Sequence, residues 1–200
     1  VASFQAIAAT GQAMLGLLAD AVPRPEFANA QFELYQLTNF QSPMEEGVSV
    51  YLYRLAVSGP RRNMPPQLGP DGQRHRPPIP LDLHYIVSAW ARSAVKQQRL
   101  LGWVIRMFED VPILPTGLLN HYGPEPDIFR PGETVELLLE SLTLQDWNNL
   151  WSTTRSSPPL SVGYVARMVG IESSLPLVVP QAVQTRDFRS GPAVTDESKK

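Results

Sequence analysis

Two hundred residues, 43% of them hydrophobic, make one domain's worth of chain, enough to bury a core. A formal net charge of −2 gives no bulk attraction for nucleic acid, and the absence of cysteine removes disulfides and thiolate metal sites. No apolar run reaches the roughly 18 residues of a membrane span, and 20 prolines against 13 glycines predict stiff connections between elements.

In chain order, SFQAIAATGQAMLGLLADAV comes first. Its apolar centre and small residues Ala19 and Ala21 imitate a secretion signal, but it has no basic leader and is interrupted by Gln5, Thr10 and Gln12. Phe4, Ile7, Met14, Leu17 and Leu18 fall mainly at helical spacings, so a packed first helix is expected. The run QFELYQLTNF from Gln31 reads as a first strand.

Two longer strands follow, VSVYLYRL and IPLDLHYIVSAW, joined by the loop SGPRRNMPPQLGPDGQRHRPP. In the second, Leu81, Leu83, Tyr85, Val87 and Ala89 share one face while Asp82, His84 and Ser88 share the other. The first alternates less cleanly. A loop this long in a compact domain is usually functional, and this one carries nothing catalytic, so contact is its expected use.

Val95, Leu101, Val104, Ile105 and Phe108 mark one face of a helix from Ser93 to Glu109, which Pro112 and Pro115 end. From there to Gly132 the prolines and glycines predict an irregular connection with at most a short turn near Leu118. Val135, Leu137 and Leu139 alternate with Glu136 and Glu140 as another strand. Thr143, three residues before Asp146, starts a helix carrying Leu144, Trp147, Leu150 and Trp151. The last strand is expected to bury Leu160, Val162, Tyr164, Ala166 and Met168 and to leave Ser161, Val165 and Arg167 opposite. The expected class is α/β (α+β): a mixed, largely antiparallel sheet of about four to five strands with packed helices.

The serial order of these pieces is itself a signature. The strand VYLYRL, the basic loop with RRN, RPPIPLDLHYIVSAWA and the helix beginning near KQQRLLGWVIRMF come in the order of a known family, followed by VPILP, ETVELLLESL, TLQDWNNLWST and LSVGYVARMVGI. In this order the chain resembles, over residues 3–172, the cap or tail-terminator proteins of phage-tail-like contractile injection systems. The resemblance implies a structural role: a six-fold ring closing the distal end of the inner tube and sheath. It implies a homohexamer with sheath and tube proteins as partners, assembly in the cytoplasm, no catalytic residues, no nucleic-acid partner and no membrane insertion. The expected division is a terminator domain over 1–172 and an extended arm over 173–200.

Charge is uneven along the chain. From Arg54 to Arg106 nine basic residues face two acidic ones, and from Met107 to Asp146 eight acidic residues face one basic. Oppositely charged flanks suit head-to-tail contacts that close into a ring, although folding can also bring the two blocks together within one subunit. Arginine outnumbers lysine 14 to three, which favours planar, bidentate contacts. Arg61, Arg62, Arg74 and Arg76 of the loop are the expected contact residues toward acidic protein surface. In the tail, Leu175, Leu177, Val178, Val179 and Phe188 are candidates to dock on a neighbour, with Leu177, Val179 and Phe188 the principal ones.

The catalytic alternatives are weaker. Asp82, His84 and Ser88 include triad types, but alternate strand positions stand about 6.5–7 Å apart, beyond hydrogen-bond reach. His121, Glu125 and Asp127 in HYGPEPD could meet a divalent metal only if two intervening prolines let them converge. No phosphate-cradling glycine loop, dinucleotide fingerprint or zinc spacing is present, so no cofactor is implied. The competing function is a small α/β enzyme or ligand-binding domain with a site built from the 56–78 and 111–132 loops.

Overall fold

A computed structural model describes residues 2–59, 65–69, 72–152 and 158–177. Its spine is β5 (Ile79–Trp90), a 12-residue strand paired antiparallel on one side with β2 (Gly47–Val57) and on the other with β8 (Ser161–Ile171). β7 (Thr134–Glu140) and β6 (Ile113–Pro115) extend the sheet beyond β8, and β1 (Gln31–Leu34) lies parallel to the start of β2 at the far edge. The order is β1-β2-β5-β8-β7-β6, six strands against the expected four to five. The difference comes from β6. Pro112 and Pro115 do stop the preceding helix, yet proline is tolerated on an edge strand, so the short run between them can still pair with β7.

The alternation read from β5 is realised. Leu83, Tyr85, Val87 and Ala89 are buried on the face covered by α1 (Ala6–Ala21), α2 (Ala94–Asp110) and α3 (Thr116–Tyr122). Small residues Ala6, Ala9, Gly11 and Ala13 let α1 lie close to the sheet, with Met14 and Leu18 filling the space behind. From α2 come Leu100, Leu101, Val104 and Phe108; Val95 is instead exposed, one turn too early to reach the core. The Ser93 hydroxyl accepts the Lys96 N–H at 3.2 Å and caps the helix.

Two β-bulges explain where alternation failed. The register shifts between Leu52 and Arg54 of β2, which is why that strand alternates poorly. A second shift puts Ala166 opposite Leu83 but Val169 opposite Leu81. Val169 therefore takes the core place expected of Met168, which sits at φ 72° and is half-exposed, and Leu160 is also exposed.

The other sheet face carries an aromatic cluster. The segment after β1 leaves the sheet at Leu34 and turns into a 3-10 helix (Leu37–Gln41), because Gln36 and Asn39 cap one another: the Gln36 N–H donates to Asn39 Oδ1 at 2.8 Å. That turn buries Phe40 among Tyr35, Tyr51, Trp90 and Trp151, with ring centroids 4.9–6.1 Å away. Trp151 comes from α4 (Leu144–Ser152), whose start is held as expected by Thr143 Oγ1 accepting the Asp146 N–H at 3.1 Å. Leu144, expected on the packed side, is exposed.

Candidate assembly interface

Three features of the surface bear on contact: the long loop between β2 and β5, the sheet's two edges, and the polar half of the aromatic face. The loop contains a minimal hairpin, β3 (Gln67–Leu68) with β4 (Arg74–His75). The start of the tail runs beside it. Arg76 N–H donates to Leu175 O at 3.1 Å and Leu177 N–H to Arg74 O at 2.7 Å, so His75 and Pro176 form an antiparallel bridge.

Of the expected contact residues, Arg74, Arg76 and Leu177 are thus gathered into one strip through their backbones. The two arginine side chains are exposed and form no ion pair among the described residues, while Leu177 is half-buried. Arg61, Arg62, Val178, Val179 and Phe188 lie outside the described residues. The first residues of the tail therefore run along their own chain.

The charge blocks separate in part. β6 and β7 of the acidic block lie at one edge of the sheet and β2 of the basic block lies next to the other. Within the basic block, however, the cations at and just before the start of α2 are neutralised by the N-terminal third of the chain, and Arg106 pairs with Asp110 within the helix. Arg92 meets Glu45 at 2.5 Å, Lys96 meets Glu46 at 2.7 Å and Arg99 meets Glu26 at 2.9 Å. Among the described residues this leaves Arg54, Arg74 and Arg76 as the unpaired cations of the block. The sequence contains all these groups, but the pairing joins residues 47 to 73 positions apart and has no local signal.

The polar sheet face disperses the triad types. His84 turns to Glu140 of β7, Ser88 Oγ lies 2.6 Å from Ser161 Oγ of β8, and Asp82 Oδ1 is buried with no hydrogen-bond partner among the described residues. The Tyr53 hydroxyl joins the pair by donating to Glu140 Oε2 at 3.2 Å. Burial first, and then the adjacent carboxylate, push the Tyr53 phenol well above its ordinary range, so it remains a donor. This is a satisfied network with no nucleophile facing a base. His121 lies on α3 with its ring 4.6 Å from that of Tyr122, and among the described residues no three His, Asp or Glu side chains converge as metal ligands. No helix among them is long and apolar enough to cross a membrane.

Residues 9–185 match the family model of the Pvc16 N-terminal domain. The fold is similar to the sheath/tube terminator of PVC, an extracellular contractile injection system, in its extended state: TM-score 0.60 at 13% identity, covering 93% of this chain and 64% of that one. It is also similar to the tube-terminating cap of the anti-feeding prophage, with TM-score 0.59 at 14% identity over 90% of this chain and 60% of the other. The chain thus spans less than two thirds of the length of both solved proteins. No curated protein matches it in sequence.

Proposed function

Since the chain belongs to the Pvc16 N-terminal domain family, we propose that it is the terminator of a phage-tail-like contractile injection particle. Six copies form a ring that closes the distal end of the inner tube and the sheath. The observation that carries this is the likeness of fold, across nine tenths of the chain, to two proteins whose role is to end such a trunk. The surface supports it in kind: a loop bearing arginines unpaired among the described residues, and His84, Tyr53 and Glu140 of the polar sheet face bonded to one another rather than arranged as nucleophile and base. The role is structural, with sheath and tube proteins as partners, assembly in the cytoplasm, and no membrane insertion or nucleic acid involved.

The test is microscopy of intact particles with this chain labelled. The expected result is label at the end distal to the baseplate, six copies per end, and trunks of uncontrolled length or low stability when the gene is deleted. Label at the baseplate, another stoichiometry, or normal trunks from the deletion strain would overturn it.

A further inference from the structure

The long loop and the tail leave the central sheet side by side. Ile79, the first residue of β5, stands opposite Ile171, the last of β8, and beyond them His75 stands opposite Pro176 in almost the same antiparallel register. Pro77 and Pro78 interrupt the ladder between these points, having no N–H to give. It resumes with the Arg76 N–H to Leu175 O and the Leu177 N–H to Arg74 O, two bonds that ask no donor of Pro176. Because His75 also pairs with Gln67 of β3, residues 175–177 lie on the opposite side of β4 as the third strand of a ribbon that prolongs β5 and β8. The tail's exit is fixed from the sheet: the Glu172 N–H donates to Ala2 O at 2.9 Å, and the Glu172 carboxylate pairs with Arg130.

Backbone bonds are the main hold on this ribbon. β3 and β4 pair over two residues each, and Leu68 and Leu175 are 66% and 54% exposed, so apolar burial adds little. A two-stranded hairpin alone is marginal in water, and a third strand changes that. Arg74 and Arg76, alternate residues of one extended segment, share a face at about 6.5–7 Å spacing. Held in that register, two guanidinium groups match carboxylates at alternate positions of an extended acidic segment. On a loose loop the same contact would first have to order the chain, at a cost in affinity.

We propose that residues 175–177 are a built-in strap that sets the arginine pair of the loop, so that Arg74 and Arg76 bind an acidic polypeptide tightly only while the start of the tail is docked. Whatever draws the tail away from the hairpin thereby switches the loop off. The inference rests on the reading of the loop as a contact surface and adds its control.

The readouts are amide hydrogen exchange of the isolated full chain and its affinity for a short acetylated peptide alternating glutamate with serine, the control peptide carrying lysine in place of glutamate. Leu177→Pro removes the N–H that Arg74 O accepts. It is expected to speed exchange at Gly69 and Gly72, whose N–H groups donate to Gln73 O and Gly69 O to close the hairpin, by roughly tenfold, and to weaken the glutamate peptide by about as much. Amides of β5 should stay as protected as before. Leu177→Ala keeps the N–H and should stay near the parent. Deleting residues 174–200 should act like Leu177→Pro and deleting residues 180–200 like the parent, a pair that decides the question if the proline variant does not fold. The proposal is overturned if the hairpin exchanges equally in all of these proteins, or if it loosens with no loss of affinity. Protection that grows with protein concentration would bring the third strand from a second copy and also overturn it. A parent chain that binds the glutamate peptide no better than the lysine one overturns it too, and with it the contact reading of the loop. No particle is involved, so none of these failures touches the capping role.

Discussion

His84 on β5 and Glu140 on β7 meet across the intervening strand β8, with His84 Nδ1 3.0 and 2.9 Å from the two carboxylate oxygens. Two strand spacings, about 9.6 Å, separate their backbones, so a side chain must lean over β8 to close the gap. Gly163 of β8, directly opposite Glu140, makes room: a Cβ there would come within 2.8 Å of Glu140 O and 3.5 Å of Glu140 Cβ. The pair ties three strands together on the sheet face that α4 does not fully cover.

Removing one partner should therefore loosen the sheet. Glu140→Ala is expected to cost about 1–2 kcal/mol, since it leaves a mostly buried imidazole and the Tyr53 hydroxyl without their acceptor. Gly163→Val should cost at least as much, through the clash with the β7 backbone. Chemical denaturation of the three proteins checks both; a Glu140→Ala protein as stable as the parent would show the pair to be incidental.

Tyr164 offers the opposite sign. Its ring is fully buried 5.0 Å from that of Phe108, yet its hydroxyl is buried with no hydrogen-bond partner among the described residues. Tyr164→Phe is expected to stabilise the protein by about 0.5–1 kcal/mol, because an unsatisfied hydroxyl costs more than its absence. Calorimetry decides it, and a loss above the measurement error would mean that the hydroxyl has a partner in solution.

The same residue shapes the alkaline limb of stability. Burial pushes the Tyr164 phenol up to about 12 from its ordinary 10.0, and a hydrogen bond to Asp20, with burial second, pushes Tyr122 to about 12. Both groups are held neutral in the folded state and ionise more readily when unfolded. Their contribution is fully present below pH 10.0 and is lost as pH rises toward about 12. Absorbance titration of phenolate should show delayed ionisation of these tyrosines, and Tyr164→Phe should flatten the decline in melting temperature above pH 10.0.

Phe40 should be the most costly single truncation on the aromatic face. Its ring is 2% exposed and touches those of Tyr35, Tyr51, Trp90 and Trp151. Phe40→Ala is expected to cost about 3–4 kcal/mol. It should also release α4, seen as a red shift of tryptophan emission before global unfolding; an unchanged spectrum would mean α4 is held by other contacts.

The loop arginines should separate assembly from stability. Reversing Arg61, Arg62, Arg74 and Arg76 to glutamate together is expected to leave the melting temperature nearly unchanged, because charges on a long connecting loop add little to the fold. Attachment to the trunk should weaken at physiological salt. Normal capping by that variant would remove the loop from the interface.

Much of the fold was legible because it rests on local periodicity. The inward set of β5, the cap at Ser93 and the Thr143–Asp146 start of α4 each involve residues a few positions apart, where side-chain type and backbone preference act directly. The family resemblance lay in the serial order of such pieces, and the match over residues 9–185 bears it out. Tertiary structure decided what depends on partners distant in sequence. The bulges that re-phase β2 and replace Met168 by Val169 show only in the pairing of those strands with β5. A Pro112–Pro115 segment becomes a strand only because β7 presents an edge to it, and Arg92, Lys96 and Arg99 find carboxylates only because Glu45, Glu46 and Glu26 fold against them. The open edge of β2 is of the same kind. Its residues announce a strand, but only the sheet order and the shortness of β1 determine that, among the described residues, nothing pairs with the outer side of its second half.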